Sequence, residues 1–391
     1  MKLWKKVNRK AILELFLIII LLFLSFVYFS EVIIPADKII IHGDYRHGLT
    51  VWQHIIYHLK GLYVHSPKLP TLAVLYLMSN IFGDIVAEKL FTVFILFLSS
   101  LFVYISHKHF LRKIFKKSLY WQVSISAFIG TLVFLYNPWT INKIHHHYWL
   151  ILSLAASYLL LMEIDKIIHE KFSYFRILLI CSLIIAIATQ IQGLIIYTNF
   201  MIIIYLFCFI LFERWEFLKK IVSKRIMFSL IIIFFFNSFW IIPQVVTLLS
   251  GISKPSSYSI VVENIDTLSR RSSILNIIRG INGFLWESPY TVVYNLNVLN
   301  LDIWKPISLV PFIIAVSFLF FLKSFTYEKK KYILYFAMLL IFSILFSTGS
   351  YYPIFGDLYR KIFLDISFGW MIRDPYKNTG LVIISLSFFI S

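Results

Sequence analysis

Long apolar runs alternate with short polar stretches along most of the 391-residue chain. A run of about 20 apolar residues crosses roughly 30 Å of hydrocarbon as an α-helix. The pattern predicts an all-α, polytopic membrane protein that forms one transmembrane domain, residues 1–391, with about ten spans. The predicted spans are 11–30, 85–106, 119–136, 149–163, 176–190, 194–212, 226–249, 304–322, 332–349 and one that begins near Thr379. About a dozen apolar residues follow Asn378, too few to cross, so we expect a longer natural chain.

The basic residues fall into groups between these apolar runs. Five short stretches hold 22 of the 37 Lys and Arg residues, namely 1–10, 107–118, 163–176, 213–225 and 323–331. Basic loops mark the cytoplasmic side of a membrane protein, so the pattern predicts a multi-pass plasma membrane protein with a cytoplasmic N-terminus. The predicted external segments are 31–85, 137–148, 250–303 and 350–378.

The formal net charge of +18 would suggest nucleic acid in a soluble domain. Here the excess lies in loops that face anionic lipid headgroups, so we expect a membrane lipid partner and no nucleic acid.

The same alternation permits a single crossing between Ser30 and His107. The run Ile85–Ser106 is the longer candidate and ends at a basic stretch. The competing run Leu69–Gly83 is short and has Pro67, Pro70 and Gly83 at its borders. We therefore predict that interfacial helices, including Leu69–Gly83, lie in the first external loop.

The first polar group lies in that loop and contains Asp37, Asp44, Arg46 and His47. Asp44 follows a glycine and precedes the amphipathic stretch Leu49–Lys60. One interpretation is that Asp44 is a helix N-cap. The other is that Asp44, or Asp37, is a catalytic carboxylate at the membrane surface, acting as a general base or metal ligand.

The second polar group runs from Asn137-Pro138 through Lys143 to His145, His146 and His147. Three adjacent histidines cannot all point the same way, so no three-histidine metal site is expected. His146 or His147 could instead face a polar cavity and bind a phosphate or hydroxyl group. The alternative is an interfacial turn opened by Asn-Pro.

The third polar group contains Arg373, Asp374 and Lys377, directly before the tenth apolar run. An arginine fork suits phosphate, and a lysine adds a compact charge. The alternative is ordinary flanking charge. The segment 250–303 is long enough to suggest a functional or lid-like loop, although no chemistry can be assigned within it.

Together these segments resemble the membrane glycosyltransferases of the GT-C architecture found in archaea and bacteria. The similarity lies in Gly43-Asp44, in Asn137-Pro138 with Lys143 and His145–His147, and in Phe355–Tyr359 followed by Arg373–Lys377. Many GT-C enzymes carry paired acidic residues in the first loop, whereas Asp37 and Asp44 are seven positions apart.

The resemblance implies transfer of a hexosyl or pentosyl group from a polyprenyl-phosphate donor to an acceptor on the outer face. Asp44 would be the base, and Arg373 and Lys377, with His146 or His147, would stabilise the leaving phosphate. A divalent cation is a possible cofactor. The donor sugar, the acceptor and the oligomeric state remain open. Two other functions also remain open, a lipid or solute transporter or flippase and a non-catalytic scaffold. The scarcity of charges within the spans counts against transport.

Overall fold

The computed structural model describes residues 2–28, 69–170, 173–188, 194–249, 269, 271–282, 304–365 and 374–391. In this part of the chain the regular structure is helical. The helices, numbered here in chain order, are α1 Lys2–Tyr28, α2 Leu69–Phe82, α3 Asp84–Ile114, α4 Tyr120–Leu135, α5 Pro138–His146, α6 Tyr148–His169, α7 Tyr174–Ala188, α8 Asn199–Ile221, α9 Lys224–Leu249, α10 Ile274–Ile278, α11 Trp304–Ile307, α12 Val310–Phe320, α13 Tyr327–Thr348, α14 Pro353–Asp365 and α15 Thr379–Ile390. A π-helical turn, Leu194–Thr198, leads into α8, and short 3₁₀ turns cover Phe321–Ser324 and Pro375–Lys377.

The predicted all-α class is confirmed for the described residues, and each predicted span overlaps a helix in its described part. Within the described ranges, five helical stretches are long and apolar enough to cross a membrane. They are Arg9–Val27, Asp84–Ile114, Ile196–Arg214, Lys305–Ser324 and Tyr327–Thr348. The total of about ten spans stays a prediction.

Several helices extend beyond the predicted spans, and two differences bear on the polar segments. Helix α3 continues through most of the predicted loop 107–118 to Ile114, and it buries His107 between Tyr158 and Ser387. The segment after Asn137 is a helix, α5, and not only a turn. Asn137 caps it by accepting a hydrogen bond from the Trp139 backbone at 2.7 Å, and Pro138 takes the first helical position, where its missing N–H costs nothing.

Helices α3, α6 and α15 form the centre of the described structure. Helix α3 packs against α4 and α6, and α15 packs against α4, α12 and α13. Helix α15 is buried from Thr379 to Phe389. Small side chains on α6, among them Ala155, Ala156 and Ser157, let neighbouring helices approach closely, as in other membrane helix bundles.

The five basic stretches of the sequence meet at one end of this bundle, which we call the basic end. Lys113 pairs with Glu170 at 3.0 Å, Lys116 with Glu328 at 2.7 Å, and Lys331 with Glu213 at 2.5 Å. The first stretch joins them through Lys10, which lies 4.8 Å from the ring centroid of Tyr120 beside Arg112. Their common location supports the prediction that the five basic stretches lie on the same side of the membrane. Which side they face remains a prediction.

Three of the predicted external segments meet at the other end, which we call the motif end because it holds Asn137–Lys143 and Asp374–Lys377. Helix α6 joins the two ends over 22 residues, roughly 33 Å at about 1.5 Å per residue. Thr379 donates to Asn282 at 2.9 Å, and the Ser350 backbone donates to Ser269 at 2.9 Å. Gly349 has a φ of 54°, and an added Cβ there would lie 2.5 Å from the Ser269 hydroxyl oxygen.

Candidate functional site

The candidate site at the motif end is built on α5 and on the turn before α15. Trp139 donates from its indole nitrogen to the Tyr376 carbonyl at 2.9 Å. One helical turn later, the Lys143 ammonium lies 4.0 Å from the Tyr376 ring centroid, which is the geometry of a cation–π contact. Residues three to four apart share one face of a helix, so α5 holds the tryptophan and the lysine against the same tyrosine.

The turn itself contributes a buried ion pair. The Lys377 ammonium lies 2.6 Å from the Asp374 carboxylate, and both side chains are 5% exposed. Pro375 begins the intervening 3₁₀ turn, which places Asp374 and Lys377 on the same side. The Tyr197 hydroxyl donates to the Lys377 carbonyl at 2.8 Å. Tyr197 belongs to the π-helical turn before α8, and such turns are frequent at functional sites.

Close packing at the start of α15 holds these parts together. A Cβ added to Gly380 would lie 2.7 Å from the Trp139 ring and 2.8 Å from the Leu154 side chain. Only glycine allows α5, α6 and α15 to approach this closely at that point. The position of Lys143 relative to Lys377 therefore depends on packing and not on a flexible loop.

The electrostatics of the cluster are unbalanced. Lys143 and Lys377 bring two cations to one carboxylate, that of Asp374. Burial lowers the pKa of Lys143 well below its usual range, the nearby charge of Lys377 lowers that pKa further, and Asp374 partly opposes both effects. Among the described residues the cluster thus holds two lysines and one carboxylate, and an anion bound beside Lys143 would favour its charged form.

Several buried polar atoms at this end have no hydrogen-bond partner within the described structure. They are the Thr140 hydroxyl, both polar atoms of the Asn142 carboxamide and the Asn282 amide nitrogen. Asn142 precedes Lys143 on α5 and is 5% exposed. An unmade hydrogen bond in a buried position costs about 1–3 kcal/mol.

Four of the predicted site residues lie within the described structure. Asp374 and Lys377 are brought together as a contacting pair. His147 ends α5, where its backbone N–H donates to the Lys143 carbonyl at 2.6 Å, and His146 lies in the last turn of the same helix. Asp37, Asp44, Arg46, His47 and Arg373 lie outside the described residues, so their roles stay predictions.

Lys143 is a residue to which the site prediction gave no role. The sequence shows it within the motif of Asn137-Pro138, Lys143 and His145–His147, and that place in the motif was the available signal. Its contact with Tyr376, more than 200 positions away in the chain, becomes visible only in the folded structure.

A second buried cluster lies at the basic end around Asp165, whose side chain is 0% exposed. One carboxylate oxygen accepts hydrogen bonds from Tyr205 at 2.7 Å and Tyr332 at 3.0 Å. The other lies 2.8 Å from His109, and His169 lies 3.2 Å from the first oxygen. Burial alone would raise the pKa of Asp165, but the hydrogen bonds and charges of His109 and His169 outweigh it and lower that pKa far below its usual range.

His169 extends this cluster to α8 and α13. Its second ring nitrogen lies 3.1 Å from Glu213, and Glu213 also pairs with Lys331. Burial lowers the pKa of His169, but the hydrogen bonds to Asp165 and Glu213 outweigh burial and raise that pKa above its usual value. The sequence pattern classified this region only as a basic loop and gave no sign of a buried carboxylate.

Among the described residues, no group of three or more His, Cys, Asp or Glu side chains is arranged to hold a metal ion. The two carboxylates proposed as ligands from the sequence, Asp37 and Asp44, lie outside those residues. Comparison of the chain with protein-family models, with curated proteins and with solved structures found no match.

Proposed function

We propose that the protein is a membrane glycosyltransferase similar to the GT-C enzymes, moving a sugar from a polyprenyl-phosphate donor on the outer face of the membrane. One observation carries the proposal. The segments Asn137–Lys143 and Asp374–Lys377, which separately carry the resemblance, contact each other in a buried cluster that holds two lysines and one carboxylate among the described residues. Neither segment reveals this proximity by itself.

The charge of the cluster suits the chemistry of such a transfer. When the bond between sugar and phosphate breaks, negative charge develops on the leaving polyprenyl phosphate. Fixed cations in a site with little water stabilise developing charge better than mobile ones. Lys143 is held over Tyr376 and Lys377 is held by Asp374, so both ammonium groups are already oriented. In this proposal the phosphate lies beside these two ammonium groups.

The remaining roles follow the sequence prediction. Asp44 takes the proton from the acceptor hydroxyl, with Asp37 as the second candidate for that role. Arg373 adds a fork for the phosphate, next to Asp374 in the chain. The carboxamide of Asn142 and the hydroxyl of Thr140, which lack partners among the described residues, have the polarity needed to bind sugar hydroxyls.

The proposal predicts that Lys143→Met abolishes transfer while the protein still folds. The variant removes one cation and leaves the pair between Asp374 and Lys377 intact. We expect product formation to fall about 100-fold, which is the usual loss when an enzyme is deprived of one donor that stabilises the transition state. The full chain would be reconstituted in liposomes with polyprenyl-phosphate-linked hexoses and pentoses and a membrane extract that supplies acceptors. Release of polyprenyl phosphate is the readout, because it does not depend on knowing the acceptor.

Lys117→Met is the matched control, because Lys117 is exposed at the basic end. Asp44→Asn should also stop release without changing membrane insertion, and normal release from that variant would reject Asp44 as the base. Unchanged release from Lys143→Met would contradict the proposed site. Movement of labelled polyprenyl phosphate between leaflets without sugar release would replace the transferase by the flippase alternative.

A further inference from the structure

Three cations surround one aromatic ring at the surface of the basic end. The charged groups of Lys10, Lys108 and Arg112 lie 4.8, 4.6 and 4.7 Å from the ring centroid of Tyr120, within the distance of a cation–π contact. Lys10 belongs to α1, Lys108 and Arg112 belong to α3, and Tyr120 is the first residue of α4. The ring therefore holds cations from two helices against a third. We call these four residues the Tyr120 cluster.

One carboxylate, that of Glu14, reaches the cluster and joins the same three helices. Glu14 pairs with Lys108 at 2.5 Å and accepts hydrogen bonds from Tyr104 at 3.0 Å and from Ser124 at 2.8 Å. Lys10 and Arg112 are exposed, and neither lies within ion-pair distance of a carboxylate that the structure describes. Like charges held this close together repel one another. An anion bound beside Lys10 and Arg112 would offset that repulsion.

The cluster lies where three helices change from polar to apolar sequence. The apolar stretch of α1 runs from Arg9 to Val27, Arg112 lies in the last turn of α3, and Tyr120 begins α4. Lysine and arginine side chains at the ends of membrane helices extend to the level of the lipid headgroups. In a membrane, the Tyr120 cluster would therefore lie beside the phosphate groups of the surrounding lipids.

Exposed apolar side chains continue inward from the cluster. Ile105 lies on the same face of α3 as Arg112, two turns or roughly 10 Å deeper, and it is 37% exposed. On α4, Trp121 and Ile125 are four positions apart and share a second face, which is also exposed. The surface next to the cations is thus suited to acyl chains, whereas the cations themselves are suited to an anionic group.

We propose that the Tyr120 cluster binds a phospholipid whose headgroup carries a net negative charge, in the leaflet at the basic end. The phosphate lies between Lys10 and Arg112, and the acyl chains lie along the exposed apolar side chains of α3 and α4. The arginine fork matches two phosphate oxygens, and the lysine adds a compact charge. A zwitterionic headgroup would bring a further cation to this surface, and a soluble anion would gain nothing from the apolar side chains. The proposal rests on the predicted membrane location and not on sugar transfer.

Lipid binding to the purified full chain tests this proposal. The protein in detergent would be offered phosphatidylglycerol and phosphatidylcholine with the same acyl chains, and bound lipid would be measured by native mass spectrometry. Each Lys or Arg beside an anionic lipid increases binding by a factor of about five. We therefore expect phosphatidylglycerol to bind at least about tenfold more tightly than phosphatidylcholine. Equal binding of the two lipids would overturn the proposal.

Substitution of single cations assigns the preference to the cluster. Lys10→Gln and Arg112→Gln should each lower the preference for phosphatidylglycerol about fivefold. Lys117→Gln is the matched control, because Lys117 is exposed at the same end and is not one of the cations at the Tyr120 ring. If Lys117→Gln lowers the preference as much as Arg112→Gln does, the attraction comes from the general charge of this end and the specific site is rejected.

Substitution of the ring separates positioning from charge. Tyr120→Leu keeps all three cations but removes the surface that holds them, so the preference for phosphatidylglycerol should fall, whereas Tyr120→Phe should retain it. An unchanged preference in Tyr120→Leu would overturn the cluster as the site. If that variant does not fold, the substitutions of the exposed Lys10 and Arg112 decide.

Two further results distinguish the occupant and the dependence on the proposed function. Inorganic phosphate that displaces phosphatidylglycerol at equal concentration would reject a lipid site in favour of a site for soluble anions. Loss of lipid preference in Arg112→Gln with unchanged release of polyprenyl phosphate would support the lipid site as separate from the transferase site. Absence of sugar transfer with intact lipid preference would count against the proposed function and would support the independence of the lipid site.

Discussion

The two ends of the helix bundle handle buried charge in opposite ways. At the basic end, Asp165 is surrounded by donors, since Tyr205, Tyr332, His109 and His169 all lie within 3.2 Å of its carboxylate. At the motif end, Lys377 pairs with Asp374 and Lys143 lies over the Tyr376 ring, and neighbouring polar atoms lack partners within the described structure. A satisfied cluster stabilises a fold, whereas an unsatisfied one costs stability and is retained where a ligand completes it. The comparison leads us to propose a structural role for the basic end and a binding role for the motif end.

The largest expected effect is at Asp165. Asp165→Asn removes the charge that holds His109 and His169, and we expect a loss of about 3–5 kcal/mol in the free energy of unfolding, the usual result of breaking a buried pair. Thermal unfolding of the detergent-purified protein is the measurement. Glu328→Gln is the matched control at the same end, because its pair with Lys116 is exposed on both sides and should contribute little to stability. Equal losses in the two variants would contradict a central role for Asp165.

The second prediction concerns Lys143, which should behave in the opposite way. Lys143→Met replaces a buried cation by an apolar side chain of similar length and leaves the Asp374–Lys377 pair intact. Replacing buried charge by packed apolar groups is often neutral or stabilising by about 1–4 kcal/mol, so we expect a melting temperature equal to or above that of the wild type. Thermal unfolding should therefore give a higher melting temperature for Lys143→Met than for Asp165→Asn. A strongly destabilised Lys143→Met would show that Lys143 is structural, and it would weaken the proposed function.

Sequence patterns predicted which segments lie at each end of the bundle, but they did not predict the buried clusters that each end contains. Apolar runs placed the helices, because burial in hydrocarbon requires about 20 apolar residues in succession. The grouping of Lys and Arg predicted which loops meet, because that signal comes from local composition. The clusters were not predictable in the same way. Asp165 meets Tyr332, and Lys143 meets Tyr376, through packing of segments far apart in the chain.

The candidate site shows the same division. Asp374 and Lys377 were chosen from a short motif, and three positions along one turn were enough to bring them into contact. Lys143 needed α5 to form and to dock on the turn before α15. The expected turn at Asn137-Pro138 became a helix because the same two residues that favour turns also cap and start helices.

The pH dependence of stability should carry opposite slopes from the two ends. His169 has a raised folded pKa, so its contribution is present below about pH 6.5, its unfolded value, and is lost as pH rises through the folded pKa. Asp165 has a lowered folded pKa, so its contribution is present above about pH 3.9 and is lost as pH falls further. Lys143 has a lowered folded pKa, so the unfolded state binds more protons there and stability rises with pH.

The smallest expected effect on stability is that of His169. Because its slope with pH is opposite to that of Lys143, the two contributions can be measured separately. In a Lys143→Met background the rising contribution is gone, and stability should fall as pH rises above about 6.5, because His169 loses the proton that its raised folded pKa retains. Adding His169→Gln should flatten that fall. Melting temperatures of the single and double variants across this pH range provide the measurement. An unchanged slope in the double variant would mean that His169 does not couple protonation to the Asp165 cluster, and the basic end would then be held by its tyrosines and by His109.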